Sequence, residues 1–178
     1  MSAIITVPHP VLRQPAKEVL VLDKKILTLI SDMTATLVTA KNPEGVGLAA
    51  PQVGVSLRIF LIRPTPKTKP QVFINPQIIK YSQRTQSSKD SDGVYEGCLS
   101  LPHHYAPITR SMSVTVKYQQ PTANHQLASV QTTFTGFPAH IIQHELDHLN
   151  GVLFIDRVLE QNVPLFKISG KHWEEITL

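Results

Sequence analysis

The spacing of apolar residues predicts one helix near the start of the chain. Apolar side chains recur every three or four positions, at Ile26, Ile30, Met33 and Leu37. This spacing places them on one face of an α-helix, where they would pack into the core. Asp23 is a candidate N-cap, and Pro43 is incompatible with a helix interior. We therefore predict a helix that begins after Asp23 and ends before Pro43.

Short segments rich in β-branched and aromatic residues predict strands in the middle of the chain. The predicted strands cover residues 57–62, 72–74, 77–81, 114–118 and 130–134. The fourth of them alternates cleanly, because Val114, Val116 and Tyr118 share one face. Residues 83–93 are rich in Ser, Asp and Lys and predict a loop, which we expect to border a cleft.

A second helix is predicted between Pro138 and the pair Asn150-Gly151, which suit a helix start and a helix end. Short antiparallel and mixed strands around this central helix are typical of an α+β fold. At 178 residues, the chain has the length of one domain with a sizeable core, so we expect a single catalytic domain over residues 1–178.

The second predicted helix carries the sequence QHELDH at residues 143–148. Residues i and i+4 share a helix face, so His144 and His148 can turn toward one metal ion. In the H-E-x-x-H pattern, the intervening carboxylate, here Glu145, takes a proton from metal-bound water. Taken alone, the same pattern also occurs on ordinary amphipathic surface helices.

The choice of metal ligands has alternatives. His140 lies four positions before His144, but about 12 Å of helix separates it from His148, so all three cannot share an ion. Only the 144/148 pair encloses Glu145, and we interpret His140 as a flanking residue. His103 and His104 are interpreted as loop histidines. Two histidines leave a tetrahedral site incomplete, and Cys98, the one cysteine, is the obvious third ligand.

Composition restricts the classes of protein that remain. One cysteine excludes an intrachain disulfide and fits a reducing compartment. No signal peptide or apolar run of membrane-spanning length is present, so we expect a cytoplasmic protein without membrane association. The net charge of +4 is spread along the chain, with no basic run longer than Lys24-Lys25, which does not indicate sequence-specific nucleic-acid binding.

Three segments together carry a family resemblance: GVGLAAPQ at 45–52, EGCLS at 96–100 and QHELDH at 143–148. In this order, they resemble the corresponding segments of bacterial-type peptide deformylases. The similarity extends to PHPVLR at 8–13 and LNGVLFIDR at 149–157, and so covers nearly the whole chain. The resemblance implies a hydrolase that removes the formyl group from the N-terminal methionine of nascent polypeptides and releases formate.

The resemblance also implies roles for particular residues. Cys98, His144 and His148 would hold one divalent metal ion, and Glu145 would pass a proton to the leaving amine. The Gln52 amide and the Leu99 backbone N–H would stabilise the oxyanion of the tetrahedral intermediate. Iron as Fe²⁺ is expected in the cell, whereas purified protein can contain Zn²⁺, Ni²⁺ or Co²⁺.

Further residues are assigned to the substrate and to the support of the ligands. Gly45 and Gly47 would let the backbone turn sharply and approach a substrate closely; taken alone, the segment 45–52 also suits a tight turn that leads into a strand. By resemblance, the methionine pocket would be lined by Val46, Leu99, Phe137 and Ile141. Glu96, Arg110 and Asp147 are interpreted as carboxylates and a cation that orient the ligands. Asp147 is placed either to accept a hydrogen bond from a ligating histidine or to pair with Arg110. Tyr105 stands where many relatives have arginine.

Two other functions remain open at this stage. A zinc metalloprotease would need a later third ligand, for which Glu160 and His172 are the candidates. A non-catalytic metal-binding or ribosome-associated module would not need Glu145 or Gln52. For the deformylase, we expect a monomer whose partners are N-formylmethionyl nascent chains. Residues 166–178 lack a long basic helix, so we expect at most transient contact with the ribosome.

Overall fold

The computed structural model describes residues 2–41, 44–87, 95–124, 126–170 and 172–177. Its helices are α1 (Lys24–Thr39), α2 (Phe137–Leu149) and α3 (Phe154–Gln161), and 3-10 turns occupy Pro10–Arg13 and Ala50–Val53. The strands, in chain order, are β1 (Gly47–Ala49), β2 (Ile59–Ile62), β3 (Gln71–Tyr81), β4 (Thr85–Gln86), β5 (Glu96–Cys98), β6 (Leu101–Ala106), β7 (Arg110–Ser111), β8 (Ser113–Pro121), β9 (Leu127–Thr135), β10 (Leu165–Ser169) and β11 (His172–Ile176). Pro43 and residues 88–93 of the predicted loop lie outside the described residues.

The strands form antiparallel sheets. A five-stranded sheet has the order β1-β2-β3-β8-β9, a four-stranded sheet has the order β11-β10-β6-β5, and β4 pairs with β7. Every pair of named strands in the described ranges is antiparallel, and a parallel pairing occurs there only as the isolated bridge between Lys17 and Leu57. The predicted α+β class is confirmed, with antiparallel rather than mixed strands.

The five-stranded sheet lies between α1 and α2. All four residues of β2 are buried, and neighbouring side chains point to opposite faces of the sheet. Ile59 and Leu61 pack with Met33 and Leu37 of α1. On the other face, the β2 residues Phe60 and Ile62 pack with apolar residues of α2. Helix α2 is therefore covered by the sheet on one side, and every residue from 139 to 149 is buried.

The start of α1 agrees with the prediction. The Asp23 side chain caps the helix by accepting a hydrogen bond from the backbone N–H of Ile26 at 2.9 Å. The helix ends at Thr39, before Pro43. Its buried residues include Met33 and Leu37, two of the four apolar positions that predicted this face.

The prediction of two strands at 72–74 and 77–81 was wrong, because the structure contains one continuous strand there. In β3, the register against β8 shifts between Ile74 and Gln77, and Asn75 has a φ of 49°. A bulge accommodates Pro76, which cannot donate a backbone hydrogen bond. The strands predicted at 114–118 and 130–134 are present and longer than predicted, and the one predicted at 57–62 begins at Ile59.

The four-stranded sheet and α3 form a separate apolar cluster. Cys98, Ala106 and Leu165 from the sheet pack against Phe154 and Val158 of α3. This packing places β5, which carries Cys98, beside the end of α2. None of the helices within the described ranges combines the length and apolar character needed to cross a membrane.

Candidate active site

Helix α2 and strand β5 bring three potential metal ligands together. The rings of His144 and His148 lie on one face of α2, with centroids 4.9 Å apart and planes nearly perpendicular. Cys98 Sγ lies 3.2 Å from His148 Nε2. One ligand atom from each of the three residues lies within 4.8 Å of the others, and all three residues are buried. Among the described residues, this is the one group of three or more Cys, His, Asp or Glu side chains that could hold a metal ion.

The chemistry of this donor set fits a divalent metal ion. One thiolate and two imidazoles suit Zn²⁺ or Fe²⁺. Burial raises the pKa of the Cys98 thiol, but the charges and hydrogen bonds of His148 and His144 outweigh it and lower the pKa to about 5. The thiolate is therefore the form present at neutral pH. Within the described part of the chain, His148 Nδ1 is buried without a hydrogen-bond partner, so the sole polar contact of this ring is on the Nε2 side.

The orientation of His144 is set by Glu96. His144 Nδ1 lies 2.7 Å from Glu96 Oε1, so the ring can donate there and leave Nε2 free as a ligand. The sequence prediction left open whether Asp147 serves a histidine in this way. Asp147 instead accepts a hydrogen bond from Arg110 Nη1 at 2.7 Å, which was the other possibility.

Glu96 and Asp147 belong to a buried charge network. Arg110 donates from Nε and Nη2 to the two oxygens of Glu96, at 2.8 and 2.7 Å. Arg157 donates to both oxygens of Asp147, at 2.6 and 2.9 Å. Burial raises the pKa of both carboxyl groups, but the guanidinium groups that face them outweigh it and hold each pKa below its usual range. The network therefore keeps Glu96 ionised behind His144.

His140 is part of this network and is more than a flanking residue. Its Nε2 lies 2.6 Å from Glu96 Oε2, opposite the oxygen that faces His144. The spacing of four positions signals that His140 and His144 share a helix face, but it does not identify Glu96 as the partner of both. His103 is exposed with a φ of 65°, and His104 Nδ1 lies 2.8 Å from the Pro102 carbonyl oxygen. Neither belongs to the group of ligands.

Glu145 lies beside the ligands, in contact with the strand that contains Gly47. A Cβ atom added to Gly47 would lie 2.1 Å from Glu145 Oε1, so only glycine leaves room for the carboxylate. Glu145 Oε2 is buried and has no hydrogen-bond partner in the described residues. Burial raises the pKa of Glu145 to about 7; Cys98 and Glu96 also raise it, and His144 and His148 oppose the shift. A carboxyl group with this pKa can both accept and release a proton near neutrality.

Gln52 reaches the same place from the 3-10 turn Ala50–Val53. Its Oε1 accepts a hydrogen bond from the Ala49 N–H at 2.8 Å, which fixes the orientation of the amide. Its Nε2 therefore faces the cysteine segment, 3.2 Å from Ser100 Oγ and 3.7 Å from Cys98 Sγ. Leu99 follows Cys98 in the turn that joins β5 to β6. An amide donor and a backbone N–H thus flank the third ligand.

A cleft of about 210 Å³, open to solvent, lies over these groups. Its lining includes Gln52, His144 and Glu145 together with the predicted pocket residues Val46, Gly47, Leu99, Phe137 and Ile141. Gly45 does not line it; a Cβ there would lie 2.3 Å from the Leu37 carbonyl oxygen, so this glycine lets the chain pass the end of α1. Glu44, Tyr95 and Tyr105 also line the cleft, and of these only Tyr105 was noted in the sequence.

The ligands that a metalloprotease would require are elsewhere. Glu160 forms an ion pair with Arg157 and its side chain is 58% exposed. His172 is exposed at the start of β11. Neither belongs to the group formed by Cys98, His144 and His148.

Comparisons with known proteins agree with this geometry. The sequence model of the polypeptide deformylase family matches residues 1–163. A peptide deformylase of Pseudothermotoga lettingae is 42% identical over 149 residues, which are 84% of this chain and 78% of that protein. One of Dehalococcoides mccartyi is 41% identical over 166 residues, or 93% of this chain and 90% of that protein.

A solved structure is similar in fold as well as in sequence. The crystal structure of the peptide deformylase from Thermotoga maritima has a TM-score of 0.75 and 39% sequence identity, and the match covers 88% of this chain and 97% of that chain. The family match covers more than nine-tenths of the sequence and includes all three metal-ligand candidates. The chain belongs to the peptide deformylase family.

Proposed function

We propose that the cleft over α2 is where this chain carries out the reaction of its family, with Cys98, His144 and His148 holding one divalent metal ion. Peptide deformylases are metal-dependent hydrolases that remove the formyl group from nascent polypeptides, and this is the activity of the chain. The single observation that supports the assignment of residues is the convergence of the three ligand atoms within 4.8 Å, beside the buried carboxylate of Glu145. When bound, the metal ion supplies a Lewis acid that polarises the formyl carbonyl and acidifies a water molecule.

Glu145 is the proposed general base and acid. Its carboxylate is buried, has no hydrogen-bond partner at Oε2 in the part of the chain that the structure describes, and has a pKa raised to about 7 chiefly by burial. These properties suit a group that takes a proton from water and then delivers it to the amine that leaves. Gly47 supports this role because it provides the space for the carboxylate.

Gln52 and Leu99 are proposed to stabilise the negative charge that develops on the formyl oxygen. The Gln52 amide is held by the Ala49 N–H, so its Nε2 need not reorganise as the charge forms. The Leu99 backbone N–H would provide the second donor. Val46, Phe137 and Ile141 are proposed to bind the methionine side chain, since they give the cleft an apolar surface.

Glu96, Arg110 and Asp147 are proposed to position the ligands. Glu96 holds the His144 ring, and Arg110 joins Glu96 to Asp147. We further propose Fe²⁺ as the ion in the cell, with Zn²⁺, Ni²⁺ or Co²⁺ replacing it after purification. The proposed substrates are N-formylmethionyl chains in the cytoplasm, with at most transient contact between the enzyme and the ribosome. We propose that the enzyme is a monomer and that residues 1–178 form a single catalytic domain.

The test is formate release from formyl-Met-Ala-Ser by the wild type and by Glu145→Gln, with bound metal measured in the same preparations. Glutamine keeps the shape of the side chain but cannot accept a proton. We expect full metal content and a kcat lower by about 10²–10⁴-fold. A near-wild-type kcat with full metal would remove Glu145 from the mechanism.

A further inference from the structure

Four aromatic side chains form a continuous surface beside the cleft, which we name the aromatic wall: Tyr95, Tyr105, Phe166 and Trp173. The Trp173 ring centroid lies 5.2 Å from that of Tyr95, 5.5 Å from that of Tyr105 and 6.0 Å from that of Phe166. Tyr95 also contacts Phe166 edge-on at 5.7 Å. These distances are within the range of attractive aromatic pairs.

The antiparallel register explains why these side chains share one face. Phe166 of β10 is opposite Tyr105 of β6, and Ile168 of β10 is opposite Trp173 of β11. Directly opposed residues and residues two apart lie on the same side of a sheet. Tyr105 in turn is opposite Gly97, where a Cβ would lie 2.7 Å from the tyrosine ring. The absence of a side chain at Gly97 leaves room for the Tyr105 ring, which lines the cleft.

The aromatic wall is continuous with the cleft and remains open to solvent. Tyr95, Gly97 and Tyr105 line the cleft that contains Glu145. Trp173 is 50% exposed and Tyr95 is 40% exposed, although both make several ring contacts. Strands β10 and β11 begin after residue 163, where the match to the family ends. Phe166 and Trp173 therefore lie beyond the region that the family model matches.

We propose that the aromatic wall binds an aromatic side chain at one of the two residues that follow the formyl-methionine of the substrate. This inference rests on the proposed function, because it takes the formyl end of the peptide to lie at Glu145. An extended peptide advances about 3.3 Å per residue, so two residues span about 6.6 Å. The Trp173 ring centroid lies 5.2 Å from that of Tyr95 and 5.5 Å from that of Tyr105, so two residues span the distance from a tyrosine at the cleft to Trp173. The exposed face of Trp173 offers a stacking partner there, one ring beyond Tyr95 and Tyr105.

The kinetic test compares three substrates: formyl-Met-Ala-Ser, formyl-Met-Phe-Ser and formyl-Met-Ala-Phe. For the metal-loaded wild type, we expect kcat/KM to be about twofold to tenfold higher for at least one phenylalanine peptide than for formyl-Met-Ala-Ser. Trp173→Ala should abolish this preference and leave formyl-Met-Ala-Ser within about twofold of the wild type. Trp173→Phe should restore most of it. Tyr81→Ala is the matched control, because Tyr81 is 55% exposed and does not line this cleft.

Two kinetic outcomes would overturn the proposal. One is a preference for phenylalanine that persists in Trp173→Ala. The other is an equal loss on all three substrates, which would mean that the hairpin only supports the fold. If the wild type released no formate from any peptide, the proposed function would fail, and binding would then have to be measured without turnover.

Binding can be measured directly because Trp173 is the only tryptophan in the chain. Its fluorescence is followed while the unformylated peptides Met-Phe-Ser, Met-Ala-Phe and Met-Ala-Ser are added to the metal-loaded protein. A saturable change with a phenylalanine peptide and a much smaller one with Met-Ala-Ser supports the proposal. Equal responses or none overturn it. A dimer of the wild type in sedimentation that becomes a monomer in Trp173→Ala would also overturn it, because a second copy of the chain would then cover Trp173.

Discussion

Replacing Gly47 with alanine should disable the enzyme without touching a metal ligand. The added Cβ would lie 2.1 Å from Glu145 Oε1 and 2.8 Å from Ile141 Cγ2. Ordinary van der Waals contact begins at 3.4 Å, so the Glu145 carboxylate must withdraw by roughly 1.3 Å. Helix α2 cannot move away to make room, because it is buried from residue 139 to residue 149.

The size of the effect follows from this displacement. A misplacement of about 1 Å in a catalytic group costs on the order of 10²-fold in rate, which is about 2.7 kcal/mol of activation free energy. We therefore expect kcat for formyl-Met-Ala-Ser to fall about 100-fold in Gly47→Ala. The metal content should stay near that of the wild type, since Cys98, His144 and His148 are not displaced.

The assay measures formate release under saturating substrate, with metal determined by mass spectrometry and stability by thermal unfolding. Gly170→Ala is the matched control, because it adds the same methyl group where nothing lies within 4 Å. Its φ of 63° makes alanine unfavourable there, by about 1–2 kcal/mol of folding free energy, with kcat unchanged. If Gly47→Ala kept a kcat within threefold of the wild type at full metal content, the steric argument would be refuted.

Three further predictions concern single side chains. Cys98→Ala should lose most of its bound metal; one ion per chain at unchanged affinity would show that the ligand set is wrong. Gln52→Ala should lower kcat and kcat/KM together by about 10²–10³-fold with KM little changed, as expected for a donor used only in the transition state, whereas a large rise in KM alone would contradict this. Asp156 is partly buried, which raises its pKa, but hydrogen bonds from Arg13 and from the Leu153 N–H outweigh this and lower it. A lowered pKa stabilises the fold at pH values above the pKa of the unfolded state, which is about 3.9 for aspartate, so Asp156→Asn should lower the free energy of unfolding by about 0.5–1 kcal/mol at pH 7. In urea unfolding, the difference from the wild type should disappear as the pH falls below that pKa. A difference that does not depend on pH would contradict the ion pair.

Local periodicity made part of the site predictable. The start of α1 at Asp23 and the shared face of His144 and His148 depend on residues only three or four positions apart, so the sequence contains enough information for both. The placement of Gln52 and Cys98 beside α2 could not be obtained in this way. Cys98 was a candidate because two histidines leave a tetrahedral site incomplete, whereas the place of Gln52 was anticipated only because its segment resembles that of a known family.

Features that depend on distant pairing were missed. The aromatic wall requires β10 to pair with β6, which brings Phe166 next to Tyr105 across 61 positions of sequence. No periodicity signals which strands become neighbours. The contact of His140 with Glu96 was missed for a similar reason, since its partner lies on another element. The bulge in β3 was mistaken for a break because Asn75-Pro76 usually ends a strand.

The burial of residues 139–149 of α2 has a consequence for how the molecule moves. The backbone of a helix buried in this way is exposed only when the surrounding layers separate, so the amide hydrogens of this part of α2 should exchange with solvent only through global unfolding. The β10–β11 hairpin is different, since four of the five residues of β11 are exposed. Its amides should exchange through local opening, at a lower free energy. The protein thus combines a candidate active site in its most persistent part with a proposed peptide-binding edge in a part that can open without the unfolding of α2.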